Sequence, residues 1–188
     1  MRSSGQLFFR LACAGLILVI AGGLGLSGSA AAQESKPGLE FLGQFYAPLD
    51  PPQVVAADKL IFRLATDREG WFKGPNLTAK PISPCADWLD VRPDGNFVLD
   101  VRCSLQTDDG AVIYVEYSGV IDWSEEIGEK CNAGGEFTGS DMYFRTHPKF
   151  KTIAENHAWL NTVQAVATMT RFKCGEGSYV EYDFYAVK

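Results

Sequence analysis

Residues 85–121, CADWLDVRPDGNFVLDVRCSLQTDDGAVIYVEYSGVI, constrain the fold more than any other stretch. They read as three antiparallel strands joined by two tight turns, each built on Asp-Gly, at Asp94-Gly95 and Asp109-Gly110. Glycine tolerates positive φ and aspartate accepts it better than most residues, so the pair suits a two-residue hairpin turn. Between the turns Phe97, Leu99, Val101, Cys103 and Leu105 alternate with Val98, Asp100, Arg102 and Ser104. A period of two is a strand with one apolar and one mixed face.

The flanking sequence extends the pattern. Leu39–Leu49 is a strand stopped by Asp50-Pro51-Pro52, and Leu60–Ala65 is a second. A short strand spans Leu77–Ile82. Residues 123–136, polar and glycine-bearing, read as a long loop. Phe137–Thr146 holds a strand with Met142, Phe144 and Thr146 on one side and Tyr143 and Arg145 on the other; His147-Pro148 is expected to end it. Phe150, Ile153, His157 and Leu160, at three- and four-residue steps, make the one candidate for a short helix, near 150–160. Two last strands cover residues 162–172 and 177–187. The expected fold is all-β, a single antiparallel meander β-barrel of about eight strands, because several strands are apolar on both faces.

The chain opens with Arg2 and Arg10, an apolar run from Leu11, and Ala30-Ala31-Ala32. This is the pattern of a secretory signal peptide over residues 1–32, cut before Gln33, followed by a polar linker, 33–38, and the barrel domain, 39–188. An uncleaved anchor fits less well, since Gly22, Gly23, Gly25 and Gly28 interrupt the run. Export places the protein in the periplasm or outside the cell. Loss of the leader takes the formal charge from −6 to −8, since two arginines and no acids go with it. So acidic a protein is a poor match for nucleic acid, and no basic cluster argues for a membrane surface after cleavage.

Four cysteines remain beyond the leader, an even number that reads as two disulfides in an exported chain. If Asp94-Gly95 closes a two-residue hairpin, Pro93 faces Asn96 and Cys103 faces position 86. A one-residue bulge then brings Cys85 to Cys103 and leaves Cys131 for Cys174. A metal site is not expected: there is no Cys-x-x-Cys, and only His147 and His157 could assist. No glycine-rich loop joins a strand to a helix, so no nucleotide cofactor is expected either.

Five blocks, GPNL (74–77), ADWLDVRPDGNFVLDVR (86–102), LQTDDGAVIYV (105–115), MYFRTHPKF (142–150) and AWLN (158–161), resemble the bacterial and fungal proteins catalogued as domain of unknown function 3237. The resemblance covers most of residues 39–188. It implies a barrel of about eight strands similar to that of allene oxide cyclase, and no settled activity. The family usually has glycines where this chain has Ser83-Pro84-Cys85, and often tyrosine at the position of Cys103. The paired change to cysteine supports the Cys85–Cys103 bridge. The usual aromatic at the position of His157 puts a family role there in doubt.

Candidate site residues fall in these blocks. Asp108 is spare in its turn and could be a general base at a barrel rim; a turn cap is the plainer role. Tyr143 and Arg145 share a face. Pointing inward, Arg145 would clamp a carboxylate, an enolate or a keto oxygen; pointing outward, it would pair with a surface acid. Trp159 and Asn161, and likewise Asp87 and Trp88, could line a pocket or serve as core and cap. Three functions follow: a barrel binding a small, partly apolar molecule with a carbonyl or carboxylate group; a cofactor-free isomerase, cyclase or hydrolase using Asp87 or Asp108 as base with Arg145 and Tyr143 holding an oxyanion; or a filled structural module. The first two require these residues around one cavity.

Overall fold

The structure is a computed structural model that describes residues Lys36–Lys188. The expected signal peptide and its cleavage site lie outside the described residues.

Eleven strands form one antiparallel sheet: β1 (Leu39–Pro48), β2 (Gln53–Ala56), β3 (Lys59–Arg63), β4 (Trp71–Lys73), β5 (Thr78–Val91), β6 (Phe97–Thr107), β7 (Val112–Ile121), β8 (Glu136–Thr138), β9 (Phe144–Lys151), β10 (Ala165–Lys173) and β11 (Tyr179–Val187). Eight of them, β1, β4, β5, β6, β7, β9, β10 and β11, follow one another around a closed ring, and the β5–β6 ladder completes it. This is the expected meander. The extra strands are excursions: β3 pairs with the second half of β5, β2 pairs with β3, and β8 pairs with the end of β10. Closure removes the edges that an open sheet would expose. The two ends of the barrel domain meet, since Gly38 N donates to Lys188 O at 3.2 Å and Lys188 N donates to Gly38 O at 2.9 Å.

Both Asp-Gly hairpins differ from the two-residue expectation in the same way. Arg92 N donates to Asn96 O and Gly95 N to Arg92 O; Thr107 N donates to Ala111 O and Gly110 N to Thr107 O. Each loop therefore has three residues, with glycine in the left-handed region, φ 86° at Gly95 and 83° at Gly110. A tight turn followed by a left-handed glycine is the usual three-residue hairpin. The extra residue shifts the register by one and seats Cys85 directly opposite Cys103 without a bulge between them. Both expected disulfides form, Cys85–Cys103 and Cys131–Cys174. The irregularity in β5 comes earlier, between Ile82 and Cys85, where Ser83 and Pro84 bulge out. The strand expected at 77–82 is thus the first part of a single long β5.

Two other expectations change. Residues 123–136 are not all loop: Glu125–Asn132 form an α-helix, α1, capped by Ser124, whose hydroxyl accepts from Ile127 N at 3.2 Å. Glu125 and Glu126 in its first turn and Lys130 in its last suit the helix dipole. Residues Glu155–Thr162 are a 3-10 segment, so the helical content is two short pieces rather than at most one near 150–160. Strand β9 also runs through Pro148, which faces Tyr117 on β7. On its other side β9 pairs with β10 only at Arg145 and Thr146. Beyond them just one ladder needs donors, and a proline is tolerated.

Inward residues follow the period of two: Leu99, Val101, Cys103 and Leu105 on β6, Ile113, Val115, Tyr117 and Ile121 on β7, and Val180, Tyr182, Phe184 and Ala186 on β11 are all buried. One end of the ring is packed solid. There Phe45, Phe72, Phe150 and Tyr182 surround Phe184, with ring centroids 5.5–6.2 Å apart, and Leu160 of the 3-10 segment closes the bottom.

Candidate functional site

The other end of the ring is open. A cavity of about 790 Å³ enters between the 49–52 loop, α1 and the 174–178 turn. Its walls are apolar: Leu60, Phe62 and Leu64 from the β3 side, Leu99 and Ile121 from β6 and β7, and Val180 from β11. At the rim Trp123 stacks on Phe97 at 4.5 Å, and Trp123 N donates to Asn96 Oδ1 at 3.1 Å. Cys85, Cys131 and Cys174 also face the cavity, so both disulfides border it.

The deep end carries three polar groups, Asp87, Tyr117 and Tyr182. Alternation places them there. Asp87 lies on the inward parity of β5 with Cys85 and Leu89, opposite Val101, which is itself opposite Tyr117. Tyr182 reaches in from β11, its ring 6.0 Å from that of Tyr117 in an edge-to-face contact. Asp87 Oδ1 accepts from Asp100 N at 2.9 Å. Its other oxygen has no hydrogen-bond partner among the described residues.

Burial of a carboxylate among apolar walls disfavours its charge. Asp87 is accordingly pushed up to about 7, foremost by desolvation, against the lowering pull of the Asp100 N–H; the nearby Asp100 carboxylate raises it further. Both phenols are held well above the usual tyrosine range, again foremost by burial, with Asp87 adding to the effect on each. Both phenols line the cavity, close to each other at its base. No lysine, arginine or histidine is among the described residues lining the cavity, and a second acid, Glu176, stands at its mouth beside Asn132. No group of three potential metal ligands occurs among the described residues.

Of the seven candidates read from the sequence, the cavity gathers Asp87 alone. Trp88 points outward, with the Arg102 guanidinium 5.5 Å over its ring. Tyr143 and Arg145 share the outer face: Tyr143 is exposed, Arg145 stacks over it at 5.1 Å, and Arg145 Nη1 donates to Phe144 O. Asp108 is exposed at the tip of its hairpin. In that turn Asp109, not Asp108, accepts from Thr107 Oγ1 and from Ala111 N. Trp159 is exposed at the closed end. Asn161 clasps the backbone of Thr152, accepting from its N at 2.8 Å and donating to its O at 2.9 Å. Tyr117 and Tyr182 were missed. Their signal is parity, because each occupies an inward position in a run of apolar residues.

The molecule is thus a small closed β-barrel, filled at one end and hollow at the other, with an acid and two phenols at the base of the hollow. The chain belongs to the family of proteins of unknown function DUF3237, whose model matches residues 37–187. A UPF0311 protein of Rhodopseudomonas palustris is 35% identical over 91 residues, a stretch covering 48% of this chain and 60% of that relative. The crystal structure of a conserved protein of unknown function from the same species superposes with a TM-score of 0.73 at 24% identity, over 83% of this chain and all of the other. A β-barrel like protein from Acinetobacter baumannii gives a TM-score of 0.64 at 27% identity, over 84% of this chain and 99% of its own.

Two disulfides suit a compartment outside the reducing cytoplasm. Among the described residues no helix is long and apolar enough to cross a membrane.

Proposed function

We propose that this is an exported small-molecule-binding barrel whose ligand is neutral, largely apolar and tipped with a carbonyl group. The observation that carries this reading is an apolar cavity with one polar patch at its deep end. Such sites take their affinity from apolar area and their orientation from a few fixed polar groups. Tyr117 donates to the ligand's oxygen, and Asp87, when protonated, can do the same. A carboxylate ligand is disfavoured, because it would meet Asp87 inside and Glu176 at the rim with no cation to pair with. A volume of about 790 Å³ suits a molecule of two or three fused rings or a chain of similar bulk.

Two probes of one shape test the reading, 2-acetylnaphthalene and 2-naphthoate, titrated at pH 8 with tryptophan emission as the readout, since Trp123 borders the cavity. The ketone is expected to bind saturably and the carboxylate at least about tenfold more weakly, a difference of about 1.4 kcal/mol. Equal affinities, or no saturation by the ketone, would refute it. Export is tested on protein recovered from its own host, which should begin at Gln33 and show no free thiol after denaturation.

A further inference from the structure

The arrangement at the base of the cavity goes beyond holding a ketone, and the inference drawn from it rests on the binding reading above. We propose that the barrel catalyses proton transfer next to a carbonyl, with Asp87 as the base that removes and returns the proton and Tyr117 as the donor that stabilises the enolate oxygen.

Three features of the geometry support it. Asp87 faces the cavity with one oxygen tied to Asp100 N at 2.9 Å and the other without a protein partner, so the carboxylate is aimed but not consumed. Its charged neighbours lie outside the cavity. Lys59 is engaged by Asp90 and by the carbonyl of Trp88, and Asp100 is paired with Arg102. Nothing in the cavity lining competes for Asp87 with a positive charge. Two strands from Asp87, across Val101, Tyr117 lines the same cavity with Tyr182 edge-to-face beside it, so a phenol stands close to the carboxylate.

The step balances within the site. The Asp87 carboxylate takes a hydrogen from the carbon beside the carbonyl. The C–H pair becomes a C=C bond, and the carbonyl π pair moves to oxygen, where Tyr117 donates a hydrogen bond. The proton then leaves Asp87 for the same carbon, giving exchange, or for a conjugated carbon two bonds further, giving a shifted double bond. The carbonyl re-forms and the enzyme is unchanged, with no oxidant, reductant or second substrate. A base that titrates near neutral pH and a nearby hydrogen-bond donor within an apolar cavity are what this chemistry needs.

The same probe separates this activity from binding. In deuterated buffer near neutrality, the methyl protons of 2-acetylnaphthalene are followed by NMR with the full mature protein. Wild type is expected to accelerate deuteration at least about 100-fold over buffer. Asp87→Asn should abolish the acceleration while the ketone still quenches tryptophan emission. Tyr117→Phe, which keeps ring and packing, should slow the bound-state rate about tenfold or more with little change in half-saturation. Binding without acceleration overturns the activity and leaves the binding reading intact, as does an Asp87→Asn rate equal to wild type. A ketone that does not bind overturns both.

Discussion

The two ends of this barrel are built from the same strands and held together by different means. At the closed end inward side chains meet across the axis. Phe184 has five aromatic neighbours, Phe45, Phe72, Tyr117, Phe150 and Tyr182, and Leu160 and Leu77 join the same core. At the open end the walls surround the cavity; Cys131–Cys174 lies at its mouth, and Cys85–Cys103 sits at mid-barrel with Cys85 bordering the cavity. Cys85–Cys103 links β5 to β6, and Cys131–Cys174 ties α1 to the end of β10 across 43 residues of sequence. A wall that cannot lean on a facing wall loses packing energy, and a covalent tie limits the unfolded chain instead.

Side-chain truncation tests that contrast most strongly. Phe184→Ala should cost about 3–5 kcal/mol in denaturant unfolding, because it empties the filled end. Leu99→Ala, at an equally buried position that already borders the cavity, should cost only about 2 kcal/mol. Equal losses would mean that the hollow collapses in solution.

The next largest effect belongs to Asp87. Its folded pKa, about 7, lies above the ordinary aspartate value of 3.8. The native state therefore holds a proton that the unfolded state has released, and stability falls as pH rises between about 4 and 7. Over that window the penalty grows to about 4 kcal/mol and is constant above it. Asp87→Asn keeps an acceptor for Asp100 N and removes the penalty. Thermal unfolding should show the variant well above wild type at pH 8 and level with it at pH 4. A gap that does not change with pH would mean the acid is solvated.

Opening the staple comes third. Cys131→Ser with Cys174→Ser should cost about 2–4 kcal/mol in chemical denaturation. Hydrogen exchange should rise in α1 and the 174–178 turn and stay unchanged in the 107–111 hairpin; uniform loosening would contradict the division into two ends. Smallest of all is Arg145→Ala. Its side chain lies on the outer face, so ketone affinity should stay within about twofold; a tenfold loss would relocate the site.

Much of this fold was legible because alternation is strict. Period-two runs on β6, β7 and β11 give the strands, and Asp-Gly gives two of the turns. The difference between two- and three-residue loops was not legible, since both accept Asp-Gly, and that one residue decides what Cys85 faces. The helix α1 carried its own signals, Ser124 followed by two glutamates and later Lys130, but its sparse apolar residues, Ile127 and Cys131, resemble a loop's. At the site, the parity that puts Phe144 and Thr146 inside puts Arg145 outside, whereas the family resemblance of its block had favoured an inward side chain. Tyr117 and Tyr182 stayed hidden for the opposite reason, because an inward tyrosine among valines and phenylalanines looks like core. Tyr117 meets Asp87 through the β5–β6–β7 meander, but Tyr182 is fixed on the ring by the β1–β11 ladder that closes it, a pairing of sequence-distant strands that no local pattern specifies.

The meeting of Gly38 with Lys188 has a practical consequence. The two backbone hydrogen bonds between them bring the ends of the barrel domain together at its solid end, the same end as the Asp108–Gly110 hairpin. A circular permutant that joins Lys188 to Gly38 through a few glycines and opens new ends at that hairpin would keep every ladder of the ring. A tag or surface tether at either pair of ends would then anchor the molecule by its base and leave the mouth turned toward solution.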